Sequence, residues 1–242
     1  MGLIGGSVAL ALKKVGFVTH IVGVGRTEKS LSIALALDVI DSLEISINKA
    51  CSDADMILIA APVAQTKSIL LSIKPYLNQQ TIITDAGSTK GDVLQVAREV
   101  LGEQFSQFVG GHPVAGAEKS GVTAAKSDLF IGKNVVLTPY INNDALQAAN
   151  NKTNGHEASK ASNIARVTEM WQACGANVTE MSAEEHDSIF AAVSHLPHLL
   201  AFALVDDIAS RPNAEQLFSF AASGFRDFTR IAGSNPRDVA RH

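Results

Sequence analysis

His112 stands in a glycine-rich stretch, residues 110–121, which reads Gly-Gly-His-Pro-Val-Ala-Gly-Ala-Glu-Lys-Ser-Gly. Imidazole is the side chain most often used as a general acid or base near neutral pH. Glycine and proline at this density predict a loop rather than a helix or a central strand. The preceding Phe108-Val109 is typical of the end of a buried strand, where α/β enzymes place catalytic groups. A solvated histidine in a surface turn is the alternative.

Ser88 is a second candidate, because it follows another apolar segment, Thr81–Asp85. The carboxyl ends of neighbouring parallel strands meet at one edge of a sheet, so we expect Ser88 and His112 to lie close together. A hydroxyl there can bond to one imidazole nitrogen and leave the other for proton transfer. Ser88 could instead cap the helix predicted from Asp92.

The segments that position these residues alternate between strand and helix. Apolar runs predict strands at 20–25, 56–61, 81–85 and 132–138, with helices at 28–37 and 92–101. Continuous apolar runs are typical of parallel strands that are covered on both faces. The alternation predicts an α/β fold with a Rossmann-like, doubly wound parallel sheet. It ends near residue 182, so we expect this domain over 1–181 and an all-helical domain over 182–242.

The first residues predict a nucleotide-binding turn. Gly2 and Gly5 match the last two glycines of the fingerprint G-x-G-x-x-G, ahead of a helix predicted from Val8. The N–H groups and the dipole at such a helix end attract phosphate. The expected cofactor-binding residues are Gly2, Leu3, Ile4 and Gly5, with Ala61 and Pro62 at the end of a later strand. The first fingerprint glycine and its strand are missing, so we expect a fragment; a glycine-rich tail is the alternative.

The segment Gly25-Arg26-Thr27 bears on which nicotinamide cofactor is bound. A carboxylate at this position binds the ribose 2′-hydroxyl of NAD, whereas an arginine accommodates the 2′-phosphate of NADP. Arg26 and Thr27 therefore favour NADP. Glu28 could still reach a ribose, so NAD stays open.

The C-terminal part supplies His186, His195 and His198, followed by Arg226 and Arg230. His195 and His198 are three residues apart, but Pro197 lies between them and no acidic residue accompanies them, so we expect no metal site. Each arginine can present its guanidinium fork to a carboxylate. An ion pair with Asp227 is the alternative.

Composition narrows the function classes. The 242 residues are 46% hydrophobic and 18% charged, with a net charge of -4, which gives no electrostatic case for a nucleic-acid or anionic-membrane partner. The longest uninterrupted apolar runs, such as 56–63 and 199–205, are too short to span a bilayer. No export signal opens the sequence, and the isolated Cys51 and Cys174 suit a reducing compartment, so we expect a cytoplasmic protein.

Together these motifs resemble the prephenate/arogenate dehydrogenase family of tyrosine biosynthesis. The resemblance covers nearly the whole chain, in the family's order. It is carried by Gly-Leu-Ile-Gly-Gly-Ser at 2–7, Asp-Ala-Gly-Ser-Thr-Lys-Gly at 85–91, Gly-His-Pro-Val-Ala-Gly at 111–116, Glu-Lys-Ser-Gly at 118–121, Glu-His-Asp at 185–187, Ser-His-Leu-Pro-His at 194–198 and Gly-Phe-Arg-Asp-Phe-Thr-Arg at 224–230. It implies that 182–242 is a helical substrate and dimerisation domain whose further helices would follow residue 242, so we expect the chain to be incomplete at both ends.

The resemblance implies an NAD(P)-dependent oxidative decarboxylation of prephenate to 4-hydroxyphenylpyruvate, or of arogenate to tyrosine, by a homodimer. His112 would accept a hydrogen bond from the ring hydroxyl, oriented by Ser88. The residues implied at the substrate are Arg230, Arg226, His198, His186 and Glu118.

Two other functions stay open at this point. The chain could be a catalytically silent NADP-binding protein of the same fold, because the first strand is missing. It could also be another NADP-linked dehydrogenase, such as one acting on β-hydroxyacids, although those enzymes use a helix-borne lysine for which no comparable motif is evident.

Overall fold

The computed structural model describes residues 1–25, 27–117, 119–140 and 154–233. The chain divides into two compact units, the first from Met1 to His186 and the second from Asp187 onward. The first unit is α/β and the second is helical, as the alternation in the sequence predicts. The units divide a few residues after position 182, because Ala183 and His186 are buried with the first unit.

The strands of the first unit form two separate sheets. In chain order they are β1 (Val22–Val24), β2 (Ser42–Glu44), β3 (Met56–Ile59), β4 (Ile82–Asp85), β5 (Phe108–Pro113), β6 (Asn134–Thr138) and β7 (Asn177–Glu180). β1 pairs with β2, and the larger sheet has the order β3-β4-β5-β6-β7. Every pairing is parallel except that of β5 with β6. The predicted parallel sheet therefore contains one antiparallel pair.

Helices cover both faces of the larger sheet. The first unit contains α1 (Leu3–Lys14), α2 (Glu28–Ala36), α3 (Ile47–Cys51), α4 (Thr66–Ile73), α5 (Gly91–Leu101) and α6 (Asn154–Ala173). Neighbouring residues of β4 show the two faces: Ile82 packs in the cluster of α1 and α6, and Ile83 in that of α4 and α5. Because side chains alternate along a strand, a strand covered on both faces is apolar at every position. The doubly wound architecture is thereby confirmed.

The two sheets are joined by side-chain packing. Among the described residues, no ladder hydrogen bond links β1 to β3. Val8, Ala11 and Leu12 of α1 pack in the core of the larger sheet. Ala9 of the same helix packs in a smaller core beneath β1 and β2, with Val122 among its partners. Helix α1 therefore holds the two pieces of sheet together.

The second unit begins within a long helix, Ala183–Ala209. Within it lie α7 (Ala183–Phe190), a π-helical turn (Ala191–His195) and α8 (Leu196–Ala209), and then come α9 (Ala214–Ser219) and α10 (Ser223–Thr229). Within Ala183–Ala209, an 18-residue window has a mean hydropathy of 1.7, and 11% of that window is buried. By length and composition this one helix of the described chain could cross a membrane, which is weak evidence by itself. The expectation from uninterrupted apolar runs missed it, because scattered polar residues break the runs but not the helix.

Candidate active site

His112 lies within β5, between β4 and β6, and its Cα pairs with that of Val136. The expectation of a loop at Gly110–Pro113 was therefore wrong. Its glycines serve close approach instead: a Cβ on Gly110 would lie 2.5 Å from the Thr138 hydroxyl oxygen. Glycine at this position lets β6 approach more closely than a side chain would allow. The strand can therefore continue through His112.

A buried ion pair fixes the backbone beside His112. The Lys90 ammonium bonds to the Asp85 carboxylate, and these residues are 0% and 2% exposed. Lys90 Nζ also donates to the carbonyl of Gly111 at 2.9 Å, and the Gly111 N–H donates to Asp85 Oδ1 at 3.0 Å. The pair therefore ties the loop after β4 to the residue that precedes His112.

The Asp85 carboxylate is well satisfied despite its burial. Besides Lys90 and Gly111, the N–H of Gly87 donates to its Oδ2 at 2.8 Å. Buried charges persist only when they are paired and hydrogen-bonded, and this network meets that requirement. Asp85 and Lys90 belong to the motif at 85–91, but the sequence analysis gave them no role. The sequence feature that could have predicted this pair is an acidic and a basic residue at the two ends of the short loop after β4.

His112 contacts a second histidine. Its Nδ1 lies 2.8 Å from Nε2 of His186, and the two ring planes are inclined at 67° with centroids 5.0 Å apart. His186 is fully buried, whereas His112 is half-buried. By resemblance His186 was expected in the substrate pocket; its contact with His112, 74 residues away in the chain, was not predicted.

Ser88 is half-buried in the loop that follows β4. Its hydroxyl is not among the described hydrogen-bond partners of His112, and His186 occupies the Nδ1 side of that ring. The parallel pairings of β3 with β4 and of β4 with β5 bring three strand ends to one edge. The loop of Ser88 and the segment Ala61-Pro62 start at this edge, and His112 lies beyond the parallel pairing.

The start of α1 presents backbone N–H groups of the kind that bind phosphate. This helix begins at Leu3 rather than Val8, and its first helical hydrogen bond runs from the Gly6 N–H to the Gly2 carbonyl at 3.0 Å. The N–H groups of Leu3, Ile4 and Gly5, in the first turn, therefore have no partner within the helix. A Cβ on Gly2 would meet no atom within 4 Å, whereas one on Gly5 would lie 3.2 Å from Cβ of Ala60. Gly5 thus packs the helix against the end of β3, and Gly2 leaves room for a ligand, so these residues fit a dinucleotide.

The remaining residues expected at the cofactor also follow strand ends. Thr27 comes after β1 and precedes α2, and its hydroxyl donates to that of Ser30 at 3.1 Å. Ala61 and Pro62 follow β3, and Pro62 precedes a 3₁₀ turn at Val63–Gln65. Arg26 lies outside the described residues.

The other expected substrate residues belong mainly to the second unit. Nδ1 of His198 lies 2.8 Å from the carbonyl oxygen of Ser194, one helical turn earlier. Arg226 is exposed in α10, and Arg230 is exposed in the 3₁₀ turn that follows. No ion pair between Arg226 and Asp227 occurs in the described part of this unit. Glu118 lies outside the described residues.

The two cysteines stand apart from this chemistry. Both are free and buried. Desolvation raises the pKa of the Cys174 thiol to about 12 and also raises that of Cys51. A thiol needs to ionise to act as a nucleophile, so neither cysteine is suited to that role.

Comparisons with known proteins agree with this arrangement. The model of the "Prephenate dehydrogenase, nucleotide-binding domain" matches residues 8–180, and that of the "Prephenate dehydrogenase, dimerization domain" matches residues 182–241. The chain belongs to the prephenate dehydrogenase family. Family membership confirms the resemblance seen in the sequence, and the comparisons give no support to a catalytically silent protein of the same fold.

Individual members of the family are similar over almost the whole chain. The prephenate dehydrogenase of Bacillus subtilis (strain 168) is 39% identical over 247 residues, which cover 100% of this chain and 62% of that protein. The chain thus spans less than two thirds of that relative.

Two solved structures of the family share the fold. Prephenate dehydrogenase from Aquifex aeolicus, in complex with hydroxyphenyl propionate and NAD+, has a TM-score of 0.84 at 36% identity, covering 99% of this chain and 78% of that one. Synechocystis arogenate dehydrogenase has a TM-score of 0.76 at 26% identity, covering 99% and 79%.

Proposed function

We propose that this protein catalyses the NAD(P)-dependent oxidative decarboxylation of prephenate, or of arogenate, in tyrosine biosynthesis. The observation that carries the proposal is the pairing of His112 with His186 beside the carboxyl edge of a family nucleotide-binding domain. Relatives named as prephenate and as arogenate dehydrogenases support the reaction class for both substrates.

In this reaction His112 acts on the ring hydroxyl of the substrate. Its Nδ1 is engaged by His186, so a proton is exchanged at Nε2, the other ring nitrogen. Bound nicotinamide supplies the hydride acceptor. Loss of the ring carboxylate as carbon dioxide makes the ring aromatic, so the protein has to orient the ring and polarise one hydroxyl. Ser88 is proposed to touch the substrate from the neighbouring loop.

Cationic side chains are needed to bind the carboxylates of the substrate. We propose that Arg230 binds one of them through its guanidinium fork, with Arg226 as a second cation one helical turn away. His198, His186 and Glu118 are proposed to complete the substrate site, as the family resemblance implies.

The cofactor is held at the amino end of α1. Its phosphates would meet the N–H groups of Leu3, Ile4 and Gly5, with Gly2 leaving the space that they occupy. Arg26 favours NADP over NAD, whereas the Aquifex aeolicus relative was solved with NAD+. We therefore propose use of NADP, with NAD as the second cofactor.

We further propose that the protein is a cytoplasmic homodimer. The second unit matches a dimerization domain, and its long helix leaves many large apolar side chains in solvent. Val193, Leu196, Leu199 and Leu200 are each at least half exposed. A second copy would cover them, and so the apolar character of this helix needs no membrane.

The test is to follow reduced cofactor in four assays that combine prephenate or arogenate with NADP or NAD. We expect turnover with at least one pair, and a loss of roughly 10²- to 10⁴-fold in kcat for His112→Asn, because general acid–base catalysis contributes about that much. Cofactor affinity should be unchanged. His20→Asn is the matched control, since this exposed histidine bonds to Ser42 away from the site.

Tight cofactor binding without turnover of either substrate would overturn the dehydrogenase proposal. An active His112→Asn variant would instead remove His112 from the chemistry while leaving the reaction class intact.

A further inference from the structure

We propose that His186 is a positioning residue that sets the tautomer of His112. The two rings meet nitrogen to nitrogen, Nδ1 to Nε2 at 2.8 Å, and they meet edge to face rather than stacked. This proposal rests on the proposed function only in the use that it assigns to Nε2 of His112. The contact itself is a property of the first unit alone.

A hydrogen bond between two neutral imidazoles needs one N–H and one lone pair. If His186 donated, His112 would carry its own proton on Nε2 and could not accept one there. If His112 donates from Nδ1, its Nε2 bears the lone pair that accepts the proton of a substrate hydroxyl. The second arrangement is the one that serves catalysis, and it requires His186 to carry its proton on Nδ1.

Both partners are held on fixed backbone. The N–H of His186 donates to the carbonyl of Ser182 at 2.9 Å, and the Ser182 hydroxyl accepts from the N–H of Glu185 at 3.1 Å, so the first turn of α7 is capped. His112 follows Gly111, which the ion pair of Asp85 and Lys90 holds at both its N–H and its carbonyl. Because His186 is fully buried, its ring cannot swing into solvent. The donor–acceptor geometry is therefore preorganised.

The proton balance of the step is simple. The hydroxyl O–H bond breaks as hydride leaves the same carbon for the nicotinamide that would be bound; its electron pair forms a C=O bond, and its proton moves to Nε2 of His112, which becomes an imidazolium. When the carboxylate leaves as carbon dioxide, its bonding pair makes the ring aromatic and the oxygen a phenolate, and the proton returns to that oxygen from Nε2. The proton on Nδ1 stays in the hydrogen bond to the neutral His186, whose lone pair stabilises the new charge. A second proton on the pair would place two cations side by side, which Coulomb repulsion disfavours.

The first test reads the tautomer directly by ¹⁵N NMR of the imidazole nitrogens. The chain has seven histidines, and His112→Asn identifies the signals of residue 112. In the wild-type protein at a pH where the ring is neutral, we expect a single tautomer with the proton on Nδ1. Finding the proton on Nε2, or a mixture of tautomers, would overturn the proposal whether or not the protein turns over substrate.

The second test uses two amides that differ by one methylene. In His186→Gln the amide oxygen can reach the place of Nε2 and accept from His112, whereas in His186→Asn the side chain is too short. We expect kcat of the Gln variant to stay within a few-fold of wild type and that of the Asn variant to fall roughly 10- to 100-fold, less than the loss expected for the acid–base group itself. Cofactor Kd should stay unchanged in both.

The outcomes separate the two proposals. Equal kcat values for Gln, Asn and wild type would overturn the role of His186 while leaving the reaction intact. Absence of turnover in the wild-type protein would overturn the proposed function, and the tautomer measured by NMR would then decide the role of His186 alone. Thermal unfolding of both variants serves as the control for lost packing, and if both unfold, the wild-type spectrum still decides.

Discussion

Lys90 is a charged residue with no exposed surface, and its place shows how the region around His112 is built. Its ammonium bonds to Asp85 and to the Gly111 carbonyl, so one side chain connects the ends of two neighbouring strands. A surface lysine could not do this, because solvent would compete for each contact. The ion pair therefore holds β5 in contact with the loop after β4.

Replacing Lys90 with methionine should destabilise the protein strongly. Lys90→Met leaves the buried Asp85 carboxylate without its countercharge, and breaking such a pair costs about 3–5 kcal/mol in the free energy of unfolding. Urea denaturation measures this loss. Lys13→Met is the matched control, because Lys13 forms surface ion pairs with Asp38 and Asp41, where the effect should be far smaller. Equal losses in the two variants would contradict the role given to Lys90.

Some residues of the candidate site could be predicted from the sequence, and others could not. His112 was found from its type and its place after an apolar strand, which are local signals. The contact with His186 was not foreseeable, since it depends on where α7 packs against β5, 74 residues away in sequence. Likewise the acid and the base at 85 and 90 were visible, but only the register of β4 and β5 brings Gly111 between them.

At the level of elements, β5 depends on residues that a strand normally avoids. A Cβ on Gly111 would lie 2.7 Å from the backbone carbonyl oxygen of Asp85 and 3.3 Å from the Thr84 hydroxyl oxygen. Backbone cannot give way as a flexible side chain can. The close approach of β5 to the end of β4 therefore requires glycine at this position. The reason is the lack of space for a Cβ rather than an unusual backbone conformation.

Gly111→Ala should force β5 away from β4. Overpacking at a well-packed site costs about 1–3 kcal/mol, measured as a lower urea midpoint. Activity should fall as well, because His112 is the next residue. Gly116→Ala is the matched control: its Cβ would meet no atom within 4 Å, so stability should stay near wild type. Wild-type stability of the Gly111 variant would show that the strands separate without cost.

The elements that sequence predicted best are those with one strong local signal. β3 and β4 lie in apolar runs because both faces of the sheet are covered, and such runs can be recognised in the sequence. β2 was missed because Ser42–Glu44 is short and mostly polar. The start of α1 was placed too late, since glycine inside a helix costs about 1 kcal/mol relative to alanine. Packing of Gly5 on Ala60 and of Gly6 on Ala125 overrides that preference.

At the level of the whole molecule, the open question raised by the surface is what covers the long helix of the second unit. Leu199 and Leu200 are each more than half exposed, as is Val193. Exposed apolar patches of this kind mark interfaces with other proteins or with lipid. The match to a dimerization domain favours a second copy of the chain.

Leu200→Lys should weaken the proposed dimer. Analytical ultracentrifugation across a concentration series should find a dimer for the wild-type protein and a larger monomer fraction for the variant, because a lysine buried at an apolar interface loses its hydration. Ile131→Lys, at a residue 61% exposed in the first unit, is the matched control and should dimerise as wild type does. A wild-type monomer that floats with lipid vesicles would contradict the dimer and point to a membrane.

The packing between the two sheets has a consequence for cofactor binding. The contacts between them pass through apolar side chains of α1. A two-stranded sheet with strands of three residues is marginal by itself. Since Thr27 and the start of α2 follow β1, a cofactor that bridges them to α1 would stabilise this packing, and by linkage the packing would contribute to the affinity for the cofactor.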